Sequence, residues 1–155
     1  MGQPLTAPAL FIDFETRSPV DLRKAGLMRY ARDPMTEPLM MSWAIGDMEF
    51  QLWEHGGVPV LVRNHVMDGG IVVAHNAQFE LAIWNIIMVK RFGWPVLPIN
   101  QVRCTMAACY AMSLPGALEN AAAALGLDIH KDTEGRALML KMCKPTGWIA
   151  TPEGI

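Results

Sequence analysis

The segment Phe11-Ile12-Asp13-Phe14-Glu15-Thr16 constrains this chain more than any other. Apolar and acidic residues alternate in it with the period of a strand, so Asp13 and Glu15 leave one face and Ile12 and Phe14 the other. If the apolar face enters a core, two carboxylates stand side by side on the opposite face. Acids held that close repel unless a cation lies between them, and a divalent ion bound by oxygen ligands meets that need. A strand end whose polar residues face water fits the same pattern, so the pair alone does not decide.

A second segment changes the balance. Ile71-Val72-Val73-Ala74 reads as a short buried strand that runs directly into His75-Asn76-Ala77-Gln78-Phe79-Glu80. Asn76 is a favourable N-cap for the helix that follows, and Glu80 lies one turn later on the same side. By itself this is an ordinary helix start, with Glu80 well placed against the helix dipole. Together the two segments bring a strand-borne acid pair and a helix-borne acid toward one edge of a sheet. Three carboxylates converging there suit Mg2+ or Mn2+.

The rest of the chain alternates strand and helix patterns. Ala9 to Phe14 reads as the first strand and Val20 to Ala31 as a helical region closed by Asp33-Pro34. Pro38 to Ile45 and Glu49 to Trp53 form a hairpin turning at Gly46-Asp47. Val58 to Met67 is helical, and Ala77 to about Arg91 is a long helix, apolar nearly all round and therefore buried. Trp94 to Pro98 links it to a short strand, Gln101 to Cys104, and a helix from Thr105 to Met112. Pro115-Gly116 opens a helix over Ala117 to Leu125, closed by Gly126, and a last helix covers Glu134 to Met142.

Composition sets outer bounds. The 155 residues, 52% hydrophobic and 18% charged, exclude a disordered chain and suffice for one buried core. Charges interrupt every apolar run before membrane-spanning length, and Met1 to Pro8 lacks a signal-peptide pattern. Cys104, Cys109 and Cys143, an odd number without C-x-x-C spacing, read as reduced thiols in a cytoplasmic setting. A net charge of −2 argues against a protein that coats nucleic acid generally, though not against a nuclease whose metal ions draw in phosphate. Local basic clusters stand out at Arg17, Arg23, Lys24, Arg29 and Arg32, and at Lys131, Arg136, Lys141 and Lys144. A solvated helix face accounts for either equally well.

Residues 11–16 resemble the first motif of the DEDD 3′–5′ exonucleases, proofreading nucleases with a ribonuclease H-like fold, and 74–80 resemble their second motif. Asp21 to Gly26, Tyr30 to Pro34, Leu114 to Glu119, Ala124 to Leu127, Lys131 to Arg136 and Leu138 to Lys141 are similar to the N-terminal exonuclease region of bacteriophage and prophage family A DNA polymerases. The resemblance takes in nearly the whole chain, residues 8–145. It implies an α/β fold, a ribonuclease H-like mixed β-sheet flanked by helices and C-terminally truncated. One domain over 1–155 is expected, with an ordered core at 8–145 and an extended tail at 146–155.

The implied function is metal-dependent 3′–5′ proofreading hydrolysis of the 3′-terminal phosphodiester of single-stranded DNA, within a phage-type DNA polymerase. Two other functions suit the same fold: an inactive nucleic-acid-binding or polymerase-associated module, and a stand-alone ribonuclease or oligonucleotide exonuclease. Carried over by motif position, Asp13, Glu15 and Glu80 would be the catalytic acids and the ligands of two Mg2+ or Mn2+ ions. Thr16, Asn76 and Phe79 would touch the terminal nucleotide, while His75 reads as structural. Expected partners are a single-stranded DNA 3′ end and a polymerase domain or separate polypeptide, in the bacterial cytoplasm and away from membranes.

Three departures from the family pattern qualify this. The second-motif acid is Glu80 where Asp is usual, and Cys104 stands where many relatives carry a supportive Asp, so some stabilisation of that loop is expected to be lost. The third motif, a Tyr or His followed by an Asp on a final helix, has no counterpart; Asp128 and Asp132 lie in a connecting stretch. With three acids the second ion should bind weakly and hydrolysis should be greatly slowed. An uncovered sheet surface would then favour homo-oligomers.

Overall fold

Strand β1, Leu10–Arg17, is the centre of the architecture, and its alternation has the polarity its sequence demands. Leu10, Ile12, Phe14 and Thr16 are buried, whereas Phe11, Asp13 and Arg17 are exposed. The computed structural model describes residues 8–127 and 133–143. Asp128, Asp132 and the expected tail, 146–155, lie outside the described residues.

On one side β1 pairs antiparallel with β2, Glu37–Ile45, which pairs antiparallel with β3, Gln51–Trp53. On the other side β1 pairs parallel with β4, Val72–Ala74, which pairs parallel with β5, Val102–Cys104. The order β3-β2-β1-β4-β5 is a five-stranded mixed sheet flanked by helices, the α/β class expected. The hairpin loop is wider than a turn at Gly46-Asp47, because β2–β3 pairing starts only at Trp43↔Gln51. Beyond Trp43, β2 stays paired with β1 alone up to Ile45, and the Gly46 N–H donates to Ala9 O.

Two short helices, α1 (Leu22–Ala25) and α2 (Leu27–Arg32), replace the single helix read over Val20 to Ala31. They break at Gly26, whose φ of 79° is open to glycine and strained for other residues. Helix α3 covers Val60–Met67. The long apolar helix begins as α4, Ala77–Ala82, widens into a π-helix over Ile83–Met88 and ends as α5, Val89–Phe92. Its apolar pattern did not reveal the wider turn. Ile83, Trp84, Ile87 and Met88 are all fully buried there.

Against this helix the core is aromatic. Trp84 meets Trp94 edge-on at 4.8 Å and Phe14 at 6.3 Å, and Trp53 meets Trp94 at 5.3 Å. The linker after α5 is tied down by its backbone: Trp84 Nε1 donates to Pro95 O, and Asn85 exchanges two hydrogen bonds with Leu97. Arg91, near the end of α5, donates to the carbonyls of Asp33, Pro34 and Thr36 and so fastens the segment after α2. Helices α6 (Thr105–Ala111), α7 (Leu118–Ala124) and α8 (Thr133–Met142) complete the fold. Just past α8, Cys143 O accepts the Ser18 N–H, which brings α8 back to the end of β1. No helix among the described residues is long and apolar enough to cross a membrane.

Candidate active site

The site forms where β1 outruns its parallel neighbour. At the start of β1 the Leu10 N–H donates to Ile71 O, and β4 runs alongside only as far as Ala74. Farther along the same edge, the Phe14 N–H has no strand to meet. Glu80 Oε2 accepts it at 3.0 Å. The helix-borne carboxylate therefore takes a place in the sheet ladder, between the positions of Asp13 and Glu15. Glu80 is only 4% exposed.

That placement has an electrostatic consequence. The Glu80 carboxyl is pushed up to about 9, first by burial and then by the charge of Asp13, with a further push from Glu15; the Phe14 N–H opposes the rise. The surroundings of Asp13 raise its carboxyl as well, although one flank is open to solvent, and neighbouring His75 pulls it back. Without a counter-cation, this group of acids therefore holds a proton near neutral pH. The donors are all hard carboxylate oxygens, the chemistry that Mg2+ and Mn2+ take. Among the described residues no three His, Cys, Asp or Glu side chains are gathered into a ready-made cage.

The remaining sequence-designated residues fall around these acids. Thr16 is 5% exposed, on the face opposite Asp13 and Glu15, with its hydroxyl 2.6 Å from that of Tyr30 in α2. Phe79 is half-buried and its ring lies 6.2 Å from that of Tyr30. Tyr30 thus joins the end of β1 to the helix that carries Glu80. Burial raises its hydroxyl; the Thr16 bond opposes that, and Cys143 and Glu15 add to it. Burial and the Glu15 charge likewise raise the Cys143 thiol, so the end of α8 reaches the site. His75 Nε2–H donates to Gly116 O at 2.8 Å and Nδ1 meets Thr105 Oγ1 at 2.9 Å, so both ring nitrogens have protein partners.

Asn76 departs from its expected role. It is exposed, lies in the left-handed region at φ 61°, ψ 45°, and its side chain does not cap α4. Asparagine suits this position because it tolerates that conformation better than most residues. The cap comes instead from Cys104, at the end of β5, whose Sγ accepts from the Ala77 N–H (3.4 Å) and the Ala107 N–H (3.5 Å). Burial would lift this thiol, but the N–H groups of Ala107, Ala77, Met106 and Asn76 together bring it below its ordinary value. Cys104 thus serves the start of α4 and of α6, and the expected loss of loop stabilisation is offset. Its position immediately before Thr105 was visible in the sequence; its link to Ala77 depends on the pairing of Ala74 with Cys104 across β4 and β5.

The fold is shared with a solved structure described as the apo form of a nuclease, with a TM-score of 0.53 and 21% identity, covering 81% of this chain and 56% of that one. In sequence, the chain is 35% identical over 148 residues to a DNA polymerase of Bacillus phage SP02. That alignment covers 88% of this chain and 22% of the polymerase, so the chain spans about a fifth of that relative's length. No protein-family model matches the chain.

Proposed function

We propose that this chain is a 3′–5′ exonuclease domain of the DEDD type associated with a phage-type DNA polymerase, acting on the 3′ end of single-stranded DNA. One observation carries the reading: the Glu80 carboxyl, buried against the Phe14 N–H, senses the charges of both Asp13 and Glu15. A buried acid placed among acids has little structural value and considerable value as a ligand. The similarity to a phage DNA polymerase and the fold shared with a nuclease support the same reading.

In this proposal Asp13, Glu15 and Glu80 hold Mg2+ or Mn2+, which when bound stabilises charge on the attacking and leaving oxygens of the phosphodiester. The protein's part is placement. Asp13 and Glu15 are fixed by strand geometry, and Glu80 by its bond to the Phe14 N–H. Their proton is released as the ion enters, so occupancy depends on pH. Asn76, exposed at the start of α4, and Phe79, half-buried beside it, are the groups that meet the terminal nucleotide.

The test uses single-stranded DNA labelled at its 5′ end and incubated with Mg2+ or Mn2+. Slow stepwise shortening from the 3′ end, lost in Asp13→Ala and Glu80→Ala, is the expected result. An RNA strand degraded faster would point to a ribonuclease instead. The absence of a ready-made three-donor cage among the described residues favours one second reading, a binding module of the same fold. Metal-independent binding of DNA with no shortening would select it.

A further inference from the structure

The basic residues of α1 and α2 play no part in the site described above. Arg17 is taken by Glu37, at 2.6 Å. Arg23, Lys24, Arg29 and Arg32 are all exposed, and among the described residues none of their side chains forms an ion pair or hydrogen bond. The two acids beside them are already occupied by backbone. Asp21 caps α1 by accepting from the Arg23 and Lys24 N–H groups, and Asp33 accepts from the Met35 N–H. Four uncompensated cations on two short helices are a marked segregation of charge in a chain of net charge −2.

This surface is joined to the acids through α2. The inner side of that helix carries buried Tyr30, which meets Thr16 of β1 and Phe79 of α4. Its outer side carries Arg29 and Arg32. Two shallow depressions, of about 430 and 350 Å³, adjoin along this outer side and share Arg29 as a wall. Apolar side chains alternate with the cations there: Leu22, Met28 and Met35 are 37%, 48% and 39% exposed. Cations interleaved with exposed apolar groups suit a strand whose bases are free to leave the stack. A duplex offers phosphates but keeps its bases inside.

We infer that the outer face of α1 and α2 binds the phosphate backbone of single-stranded nucleic acid, with Arg23, Lys24, Arg29 and Arg32 as the phosphate contacts. The inference takes its occupant, a single strand, from the exonuclease reading. It is testable without that reading. The full chain is titrated into fluorescein-labelled oligothymidylate in EDTA, and anisotropy is followed at several salt concentrations.

Arg29→Glu/Arg32→Glu is compared with Arg63→Glu/Lys90→Glu, which changes the net charge equally on exposed residues elsewhere. Circular dichroism checks each fold, and Arg29→Gln/Arg32→Gln serves as a gentler pair. The α2 pair should weaken binding at least tenfold and lower the salt slope by about 1.4, at ~0.7 per phosphate contact on single strands. The control pair should lose much less. Equal losses in the two pairs, no loss in either, or equally strong binding of a duplex would overturn the inference. Unchanged α2-dependent binding by a chain that shows no Asp13-dependent hydrolysis would instead defeat the exonuclease reading and leave this surface standing.

Discussion

Replacing Glu80 with Gln should make the metal-free protein more stable, and increasingly so as pH rises. The ordinary value of the Glu80 carboxyl is 4.5 and the folded value is about 9. Between those limits the folded chain binds one more proton than the unfolded chain, so wild-type stability falls with rising pH. Its contribution is fully present below pH 4.5 and is lost as pH climbs through the folded value. Glutamine keeps the shape and an acceptor for the Phe14 N–H but has nothing to titrate. At pH 7 the difference spans ~2.5 pH units, or about 3 kcal/mol at ~1.36 kcal/mol per unit. In a chain of this size that corresponds to a rise in Tm of roughly 6–12 °C. Because the Asp13 charge is coupled to Glu80, the figure is an upper bound. The assay is urea unfolding in EDTA at pH 5, 7 and 9, with both proteins compared at each pH so that the titration of groups distant from Glu80 cancels. The gap should widen by about 1.4 kcal/mol per pH unit. Parallel stability curves, or a variant less stable than wild type at pH 8, would refute the argument.

Other substitutions test the supports of the site. Cys104→Ala should cost about 1 kcal/mol by uncapping α4 and α6, and Cys104→Asp should restore it, as read by thermal melts. Asn76→Gly should be nearly neutral for stability, whereas Asn76→Val should cost ~1–2 kcal/mol or more because a branched side chain resists positive φ. Trp84→Ala, in the fully buried π-helical stretch, should cost about 3–5 kcal/mol and leave the chain partly unfolded at room temperature.

The acids were legible because strand alternation is a strict rule: once Ile12 and Phe14 entered the core, Asp13 and Glu15 had to leave it together. Glu80 was legible by its distance from a strand end. The helix break at Gly26 and the π-helical turn at Ile83–Met88 were less visible, because an apolar helical pattern is compatible with several turn widths and interruptions. Asn76 looked like a cap because Asn so often is one; in this fold it turns the chain while a sulfur from another strand does the capping. Such substitution of partners across the sheet depends on the β4–β5 pairing, which no local pattern encodes. The meeting of Tyr30 with both Thr16 and Phe79 is non-local in the same way.

Manganese binding tests the central claim most directly. Titrating Mn2+ into the protein while following the free-ion signal by electron paramagnetic resonance should reveal a saturable site that tightens as pH rises and Glu80 loses its proton. Asp13→Asn and Glu80→Gln should each weaken it at least tenfold. Binding of equal strength in wild type and both variants, or no binding at any pH, would contradict the idea that oxygens from β1 and α4 share one ion.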